Sequence, residues 1–232
     1  MSDSSCISIG LLLFPALTQL DLTGPYEVFA RAPHTNVHLI WKNMKPVIAD
    51  RGMAILPTVT FDTCPALDVI CIPGGPGQIN LMEDEETLSF IRRQSEQAKF
   101  VTSVCTGSLV LGAAGLLQGY QATTHWASLQ QLALLGAEPV NARVVRDRNR
   151  ITGAGVTSGI DFALNVVAEI YGDNIAQNIQ LHMEYEPEPP FSSGSPRTAS
   201  AERLKQAKDQ IAPLIEKRRL MTVKAASNLS KN

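Results

Sequence analysis

The sequence predicts an α/β fold, in which a doubly wound, mostly parallel sheet carries helices on both faces. Short apolar runs rich in β-branched residues alternate with longer segments of helical period, and this alternation is typical of parallel sheets. Several runs are apolar throughout, as expected of strands buried on both faces. With 44% hydrophobic and 18% charged residues, the 232-residue chain can bury a sizeable core.

The predicted strands follow the chain in order, with helices expected in the gaps between them. They are residues 6–13, 37–42, 69–75 and 99–104, with shorter runs near residues 122, 144 and 151. Between residues 46 and 61, a polar turn flanked by β-prone residues predicts a hairpin or an edge extension.

Two helices are expected over residues 157–184, separated near Gly172, with Asp173 placed to cap the second. Residues 185–200 are rich in Pro, Ser and Gly and predict an extended connector. This connector is either solvated or anchored across the body or a partner subunit by Tyr185 and Phe191.

A charged helix is expected over roughly residues 201–226, kinked or opened by Pro213. The chain is therefore divided into an α/β domain at 1–184, the connector at 185–200 and a C-terminal helical extension at 201–232. The extension is expected to pack on the same domain or on a dimer partner.

Composition and charge exclude several classes of protein. The 20 basic and 22 acidic side chains leave a net charge of −2, so no electrostatic footprint for nucleic acid or an anionic membrane is present. Residues 7–14 are not preceded by Lys or Arg, which makes them a poor signal peptide, and no apolar stretch approaches the roughly 20 residues of a membrane helix. We therefore expect a cytoplasmic protein.

The cysteines are far apart and lack the spacing of a zinc site. They are Cys6, Cys64, Cys71 and Cys105. This pattern fits a reducing compartment, with no structural disulfide, metal or other cofactor expected.

Cys105 is the candidate nucleophile. In KFVTSVCTGSLVLGAAGLL (residues 99–117), a β-type run ends at Cys105 and a helical pattern begins at once. A side chain at such a strand-turn-helix elbow projects above the carboxyl edge of the sheet, where open α/β sheets bind ligands. The following helix is expected to favour the thiolate, and the backbone N–H of Thr106 can point at a developing anion. The alternative is a small buried hydrophobic residue.

The loop PGGPGQ (residues 73–78) follows another predicted strand and should end near Cys105. Since glycine lets backbone amides approach a ligand closely, the Gly75 N–H is a candidate partner for the Thr106 N–H in an anion-binding pair. An ordinary tight turn explains this segment equally well.

Asp21 lies in a third loop, shortly before a helix expected to start around Pro25. It either caps that helix or projects into the crevice, where burial would let its carboxyl exchange protons with substrate or water. Both interpretations stay open on the residues alone.

A fourth segment, ITGAGVTSGIDFAL (residues 151–164), has the spacing GxGxxxG rather than the dinucleotide pattern GxGxxG. We interpret it as another wall of the crevice, with Val156 supplying apolar surface. His125 is interpreted as a structural histidine packed with Trp126 rather than as a catalytic base.

At SVCTGS the sequence resembles the ThiJ/PfpI superfamily. The combination of DLTGPYEVF, VICIPGGPG, SVCTGSLVLGAAGLLQG, ATTHWA and YEPEPPFSSGSP is similar to the isocyanide (isonitrile) hydratases within it. The resemblance implies a flavodoxin-like fold and a homodimer. It places Cys105 as nucleophile, Asp21 as the nearby acid, Thr106 as the residue after the elbow and Gly75 as the second amide donor.

The reaction implied is hydration of a small-molecule isocyanide to an N-substituted formamide through a thioimidate on Cys105, without a cofactor. Many superfamily peptidases and glyoxalase or deglycase members have His directly after the nucleophile, and Thr106 here argues against those activities. Ala154 departs from the glycine expected in relatives.

Two other functions remain in view. AraC-type transcription regulators share the CTGS elbow in a ligand-sensing domain, but they carry paired helix-turn-helix modules, for which the roughly 30 residues after the connector are too few. A redox sensor would instead oxidise Cys105.

Overall fold

The structure, a computed structural model, describes residues 6–230. The outermost residues of the predicted domain and extension, 1–5 and 231–232, lie outside the described residues. The strands are β1 (Ile7–Leu12), β2 (Thr35–Trp41), β3 (Val47–Ile48), β4 (Ala54–Ile55), β5 (Val59–Thr60), β6 (Val69–Ile72), β7 (Phe100–Val104), β8 (Gln121–Ala122), β9 (Glu138–Pro139), β10 (Val144–Asp147) and β11 (Arg150–Gly153).

Helices cover both faces of the sheet. They are α1 (Gln19–Phe29), α2 (Gln78–Leu81), α3 (Glu85–Gln97), α4 (Gly107–Ala113), α5 (Gln131–Leu134), α6 (Ser158–Tyr171), α7 (Asp173–His182) and α8 (Ala201–Leu229), with a 3-10 turn at Trp126–Ser128. No helix within residues 6–230 is both long and apolar enough to cross a membrane.

The main sheet has seven strands in the order β10-β11-β7-β6-β1-β2-β5. Its neighbouring strands are parallel except at one edge, where β10 runs antiparallel to β11. The central strands β1, β6 and β7 are almost wholly buried, which explains why their sequences are apolar without alternation. The predicted α/β class is thus confirmed.

The segment at residues 46–61 forms the hairpin that its polar turn predicts. Strands β3 and β4 pair antiparallel, with Val47 opposite Ile55, and β5 extends the edge of the main sheet beside β2.

Two predicted helix starts are wrong. Helix α1 begins at Gln19 rather than near Pro25, so Asp21 lies in its first turn. Pro25 removes one internal hydrogen bond, but the buried Leu22 and Val28 on either side keep the helix packed and continuous. At α7 the N-cap is Gly172, with φ of 85°, and no side chain caps the helix; Asp173 is its first residue.

Helix α8 runs without interruption through Pro213, so the expected opening of its second half is wrong. One stripe of the helix faces the body, packs against α4 and α5 and buries Arg218, Thr222 and Ala225. This packing outweighs the hydrogen bond that proline removes. The division of the chain at residues 184 and 200 stays a prediction.

Of the two expected anchors in the connector, one contacts the body. The Tyr185 hydroxyl donates to Asp161 Oδ2 at 2.8 Å. Phe191 is instead 78% exposed.

The packing of α1 on α6 holds the helix that carries Asp21. The rings of Phe29 and Phe162 meet edge to face with centroids 6.3 Å apart, and both side chains are fully buried. We expect Phe162→Ala to lower the free energy of unfolding by about 3–5 kcal/mol, because it leaves a cavity in this contact. Urea denaturation checks this, with Leu181→Ala, at an exposed residue, as the control. A loss below about 1 kcal/mol would contradict this account of the contact.

Candidate active site

The site lies at the topological switch point of the sheet, where consecutive connections leave two neighbouring strands in opposite directions. Strands β1 and β6 are neighbours, but β2 lies on one side of the pair and β7 on the other. Open α/β sheets form their ligand crevice at the carboxyl ends of the strands beside such a switch point. Asp21 lies in the first turn of α1, the helix that follows β1, and the loops after β6, β7 and β11 carry Gly75, Cys105 and Val156, respectively.

Cys105 forms the turn between β7 and α4. Its φ of 53° lies in the left-handed region, which costs a non-glycine residue about 1–3 kcal/mol. Hydrogen bonds hold this conformation, since the Cys105 N–H donates to the Gly153 carbonyl at 3.0 Å and the Cys105 carbonyl accepts from Thr124 Oγ1 at 2.8 Å. The predicted strand-turn-helix elbow is therefore present in a strained form typical of nucleophiles.

Asp21 faces this elbow from the first turn of α1. Its side chain is completely buried, and its Oδ2 accepts a hydrogen bond from the Gly74 N–H at 3.0 Å. Oδ1 is buried without a hydrogen-bond partner in residues 6–230, and the carboxyl and the Cys105 thiol shift each other's pKa. The helix-cap interpretation of Asp21 is thus wrong, since the N-cap of α1 is Thr18. Its role as an acid stays a prediction.

Burial changes the protonation of both groups. It raises the pKa of the Asp21 carboxyl from 3.8 to about 7, against the opposing effects of the Cys105 thiol and the Gly74 N–H. Burial also raises the pKa of the Cys105 thiol well above its usual value, and the Asp21 charge adds to this effect. At neutral pH the pair therefore shares at most one negative charge, which resides on Asp21.

The expected resting thiolate is consequently wrong. The Thr106 backbone N–H at the start of α4 does lower the Cys105 pKa, as a helix N-terminus should. Loss of water around a sulfur that is only 5% exposed, with an acidic neighbour, outweighs it.

The backbone of the loop at residues 73–77 passes between Asp21 and Thr106 and is close to both. A Cβ added to Gly74 would lie 2.5 Å from the Thr106 nitrogen and 2.7 Å from Asp21 Oδ2, so only glycine fits there. The next amide, Gly75 N–H, donates to Thr106 Oγ1 at 3.1 Å. Gly75 is therefore not the free anion donor that the sequence suggested; it positions Thr106.

Val156 lines a cavity of about 870 Å³ beside the elbow. Apolar side chains from three parts of the chain share its wall: Trp126 and Leu129, Val156, and Ile211 and Ile215 from α8. Thr124, whose hydroxyl binds the Cys105 carbonyl, also lines it. Cys105 and Asp21 lie behind this lining rather than in it.

His125 lines the same cavity but is poorly suited to be a base. Burial, together with the Arg218 charge, lowers its pKa to about 4, so the ring is neutral at pH 7. Its Nδ1 accepts from the Ala127 N–H at 3.4 Å, and its ring lies beside Trp126 with centroids 5.4 Å apart. This agrees with the predicted structural role.

Arg218 and Gln78 belong to the same region and were not predicted. Arg218 is 4% exposed, and its Nε donates to Gln78 Oε1 at 2.9 Å. The sequence does contain a signal for Arg218. It lies seven residues after Ile211 and four after Leu214, a spacing that places a charged residue on the apolar stripe of α8. Within residues 6–230, no group of three His, Cys, Asp or Glu side chains is placed to hold a metal ion.

We compared the sequence and the fold with those of known proteins. The model of the DJ-1/PfpI family matches residues 7–169, from β1 to α6. The chain belongs to this family. It is 56% identical over 224 residues to a Pseudomonas putida protein named isonitrile hydratase, an alignment that covers 97% of this chain and 98% of that one.

Two further relatives of this DJ-1/PfpI protein bear on fold and function. The crystal structure of a ThiJ/PfpI family protein from Pseudomonas syringae superposes with a TM-score of 0.92 at 45% identity, covering 94% of this chain and 91% of that one. The HTH-type transcriptional regulator GbdR of Pseudomonas aeruginosa is 32% identical over 189 residues, which span 77% of this chain but 51% of the regulator.

Asp21 should make the fold less stable as the pH rises. Because its pKa increases on folding from 3.8 to about 7, the folded state keeps a proton that the unfolded state releases, and stability falls through this window. We expect Asp21→Asn to be more stable than the wild type by roughly 2–4 kcal/mol at pH 8, with the difference shrinking toward pH 4. Urea unfolding across this range measures the difference; a constant one would contradict the raised pKa.

Proposed function

We propose that this protein is a hydro-lyase that hydrates an isocyanide to an N-substituted formamide, with Cys105 as nucleophile and Asp21 as general acid and base. The observation that carries the proposal is the completely buried Asp21 carboxyl, which accepts from the Gly74 N–H next to Thr106 at the Cys105 elbow. The similarity over nearly the whole chain to a protein named isonitrile hydratase supports the same reaction.

In the first step Asp21 takes the thiol proton and the sulfur attacks the terminal carbon of the isocyanide. That carbon also bears a lone pair, so Asp21 returns the proton to it, and the product is a thioimidate, Cys–S–CH=N–R. A carboxyl with a pKa of about 7 is suited to both transfers, because neither its protonated nor its ionised form is strongly favoured at neutral pH.

In the second step water adds to the thioimidate carbon. Asp21 accepts a proton from the water, the carbon–sulfur bond breaks, and the thiol regains its proton. The hydroxyimine released rearranges to the formamide, so the sum is R–NC + H₂O → R–NH–CHO. The Thr106 N–H, which already faces the sulfur, stabilises the negative charge there in both steps.

We assign the R group of the isocyanide R–NC to the cavity beside the elbow. Its apolar wall of Trp126, Val156 and Ile215 suits an alkyl or aryl group. Val156 is therefore proposed to bind the substrate through its position in this wall.

A homodimer is also proposed. The β3–β4 hairpin and the residues that follow it expose Ile48, Met53 and Leu56, each about half or more accessible, and an apolar patch of this kind favours a second copy. Nucleic acid and membrane are not expected partners at a net charge of −2, and a cytoplasmic location remains part of the proposal.

The match to GbdR favours ligand sensing as a second candidate, in which the cavity binds a small molecule without turnover. The redox-sensor alternative is weaker, because oxidation proceeds through the thiolate and the Cys105 pKa is raised.

Replacing Cys105 tests the reaction directly. Cys105→Ser is expected to lower the rate of formamide production at least about 10³-fold, since the hydroxyl is a far weaker nucleophile, while the fold is retained. Cys6→Ser, at an exposed cysteine, is the matched control and should match the wild type. The assay incubates each protein with an alkyl or aryl isocyanide and follows the formamide by mass spectrometry.

Wild-type turnover by Cys105→Ser would exclude covalent catalysis. Tight binding of the isocyanide by the wild-type protein without any formamide would favour the sensing function instead.

A further inference from the structure

Arg218 is a buried cation without an anionic partner. Its side chain is 4% exposed, yet no carboxylate in residues 6–230 lies within ion-pair distance of its guanidinium. Burying an unpaired charge is costly, and proteins usually bury a charge only together with a partner. Its retention here suggests that negative charge develops nearby.

Neutral groups fix the guanidinium in place. Its Nε donates to Gln78 Oε1 at 2.9 Å, and its Nη1 donates to Ser128 Oγ at 3.0 Å. Gln78 follows the PGGPG loop directly, and Ser128 lies in the turn after His125, so both partners belong to segments that border the elbow. One turn further along α8, Thr222 Oγ1 donates to Gln131 Oε1 at 3.0 Å and fixes the helix.

Gln78 adds a second buried hydrogen-bond donor that has no anionic or neutral acceptor in residues 6–230. Its side chain is completely buried, and its Nε2 has no acceptor in the described part of the chain. Because the amide turns its oxygen to Arg218, its donor group points away from the guanidinium. Next to the buried guanidinium there is therefore a second buried donor, Gln78 Nε2, without an acceptor in residues 6–230.

Both partners of Arg218 lie in segments that are bonded to the elbow. Ser128 belongs to the segment in which Thr124 Oγ1 donates to the Cys105 carbonyl at 2.8 Å, and Gln78 follows the loop whose Gly75 N–H donates to Thr106 Oγ1 at 3.1 Å.

The charge of Arg218 lowers the pKa of Cys105, opposing burial and Asp21, and it lowers the pKa of His125. The Cys105 charge in turn favours the protonated guanidinium.

We propose that Arg218, held by Gln78 and Ser128, is a positioning residue whose charge stabilises the anionic sulfur of Cys105 each time the thiolate forms. This rests on the proposed role of Cys105 as nucleophile. Helix α8 thus has two roles in this proposal. It contributes Ile211 and Ile215 to the cavity wall, and it carries the cation that opposes the effect of Asp21 on the sulfur.

The other titratable groups around Cys105 do not supply a positive charge. Asp21 from α1 opposes the thiolate, and the charge of Asp50 raises the pKa of Asp21. His125 is uncharged at neutral pH, and Cys71 on β6 has its pKa raised to about 12 and stays a thiol. Arg218 is thus the cation that acts on Cys105 within the described residues.

The test is the pH profile of Cys105 alkylation by iodoacetamide in the full chain, with Cys6 and Cys64 replaced by serine. Arg218→Gln should raise the midpoint by roughly 0.5–1 pH unit, which lowers the rate below the midpoint about 3- to 10-fold. Arg218→Lys keeps the charge and should recover most of this loss.

Two control variants separate charge from structure. Arg219→Gln makes the same change of charge at the next residue, which is exposed and paired with Glu216, and should leave the midpoint unchanged. Thr222→Val removes a buried hydrogen bond of α8 without changing charge; it should lower the Tm but not move the midpoint.

A folded Arg218→Gln protein with the wild-type midpoint would overturn the proposal. If that variant does not fold, Arg218→Met replaces it, because it keeps the length of the buried stem and removes only the charge; an unchanged midpoint there would overturn the proposal equally. Since no isocyanide is involved, a wild-type protein that fails to hydrate isocyanides but shows the Arg218-dependent midpoint would refute only the proposed function.

Discussion

The placement of the buried Asp21 carboxyl at the Cys105 elbow is the constraint on which the rest of the site depends. Neither group is useful alone, since a buried thiol with a raised pKa is a poor nucleophile and a buried acid has nothing to protonate. Together they let one proton move between oxygen and sulfur inside the protein. The switch point between β1 and β6 makes this placement possible, because it brings the segments after β1 and β7 to the same edge of the sheet on either side of Gly74.

Holding this placement has a cost in stability. Asp21 is ionised above pH 7 without water around it, Cys105 occupies the left-handed region, and Arg218 is a buried cation without a carboxylate partner. Each feature is unfavourable by itself, and the apolar central strands and the packed faces of α1, α4 and α8 offset them. Strain and buried charge concentrated in one place are typical of functional sites.

The sequence predicts the fold class and the elbow because both depend on local pattern. Apolar runs identify the buried strands, and the change from β-type to helical period at Cys105 locates the nucleophile. The protonation of Cys105 is mispredicted, because burial depends on how distant segments pack around the sulfur. The start of α1, the hydrogen bond between Gly75 and Thr106, and the arrival of Arg218 beside the elbow depend likewise on tertiary contacts, which a pattern of residues along the chain does not encode.

The central claim is that Asp21 titrates near neutrality while buried at the Cys105 elbow. Carbon NMR of the protein with ¹³C-labelled aspartate carboxyls measures this directly, with Asp21→Asn used to assign the signal. We expect a midpoint of about 7, and a higher midpoint in Cys105→Ala, because the thiol opposes the effect of burial on the carboxyl. A midpoint near 4 that is unaffected by loss of the thiol would contradict the account.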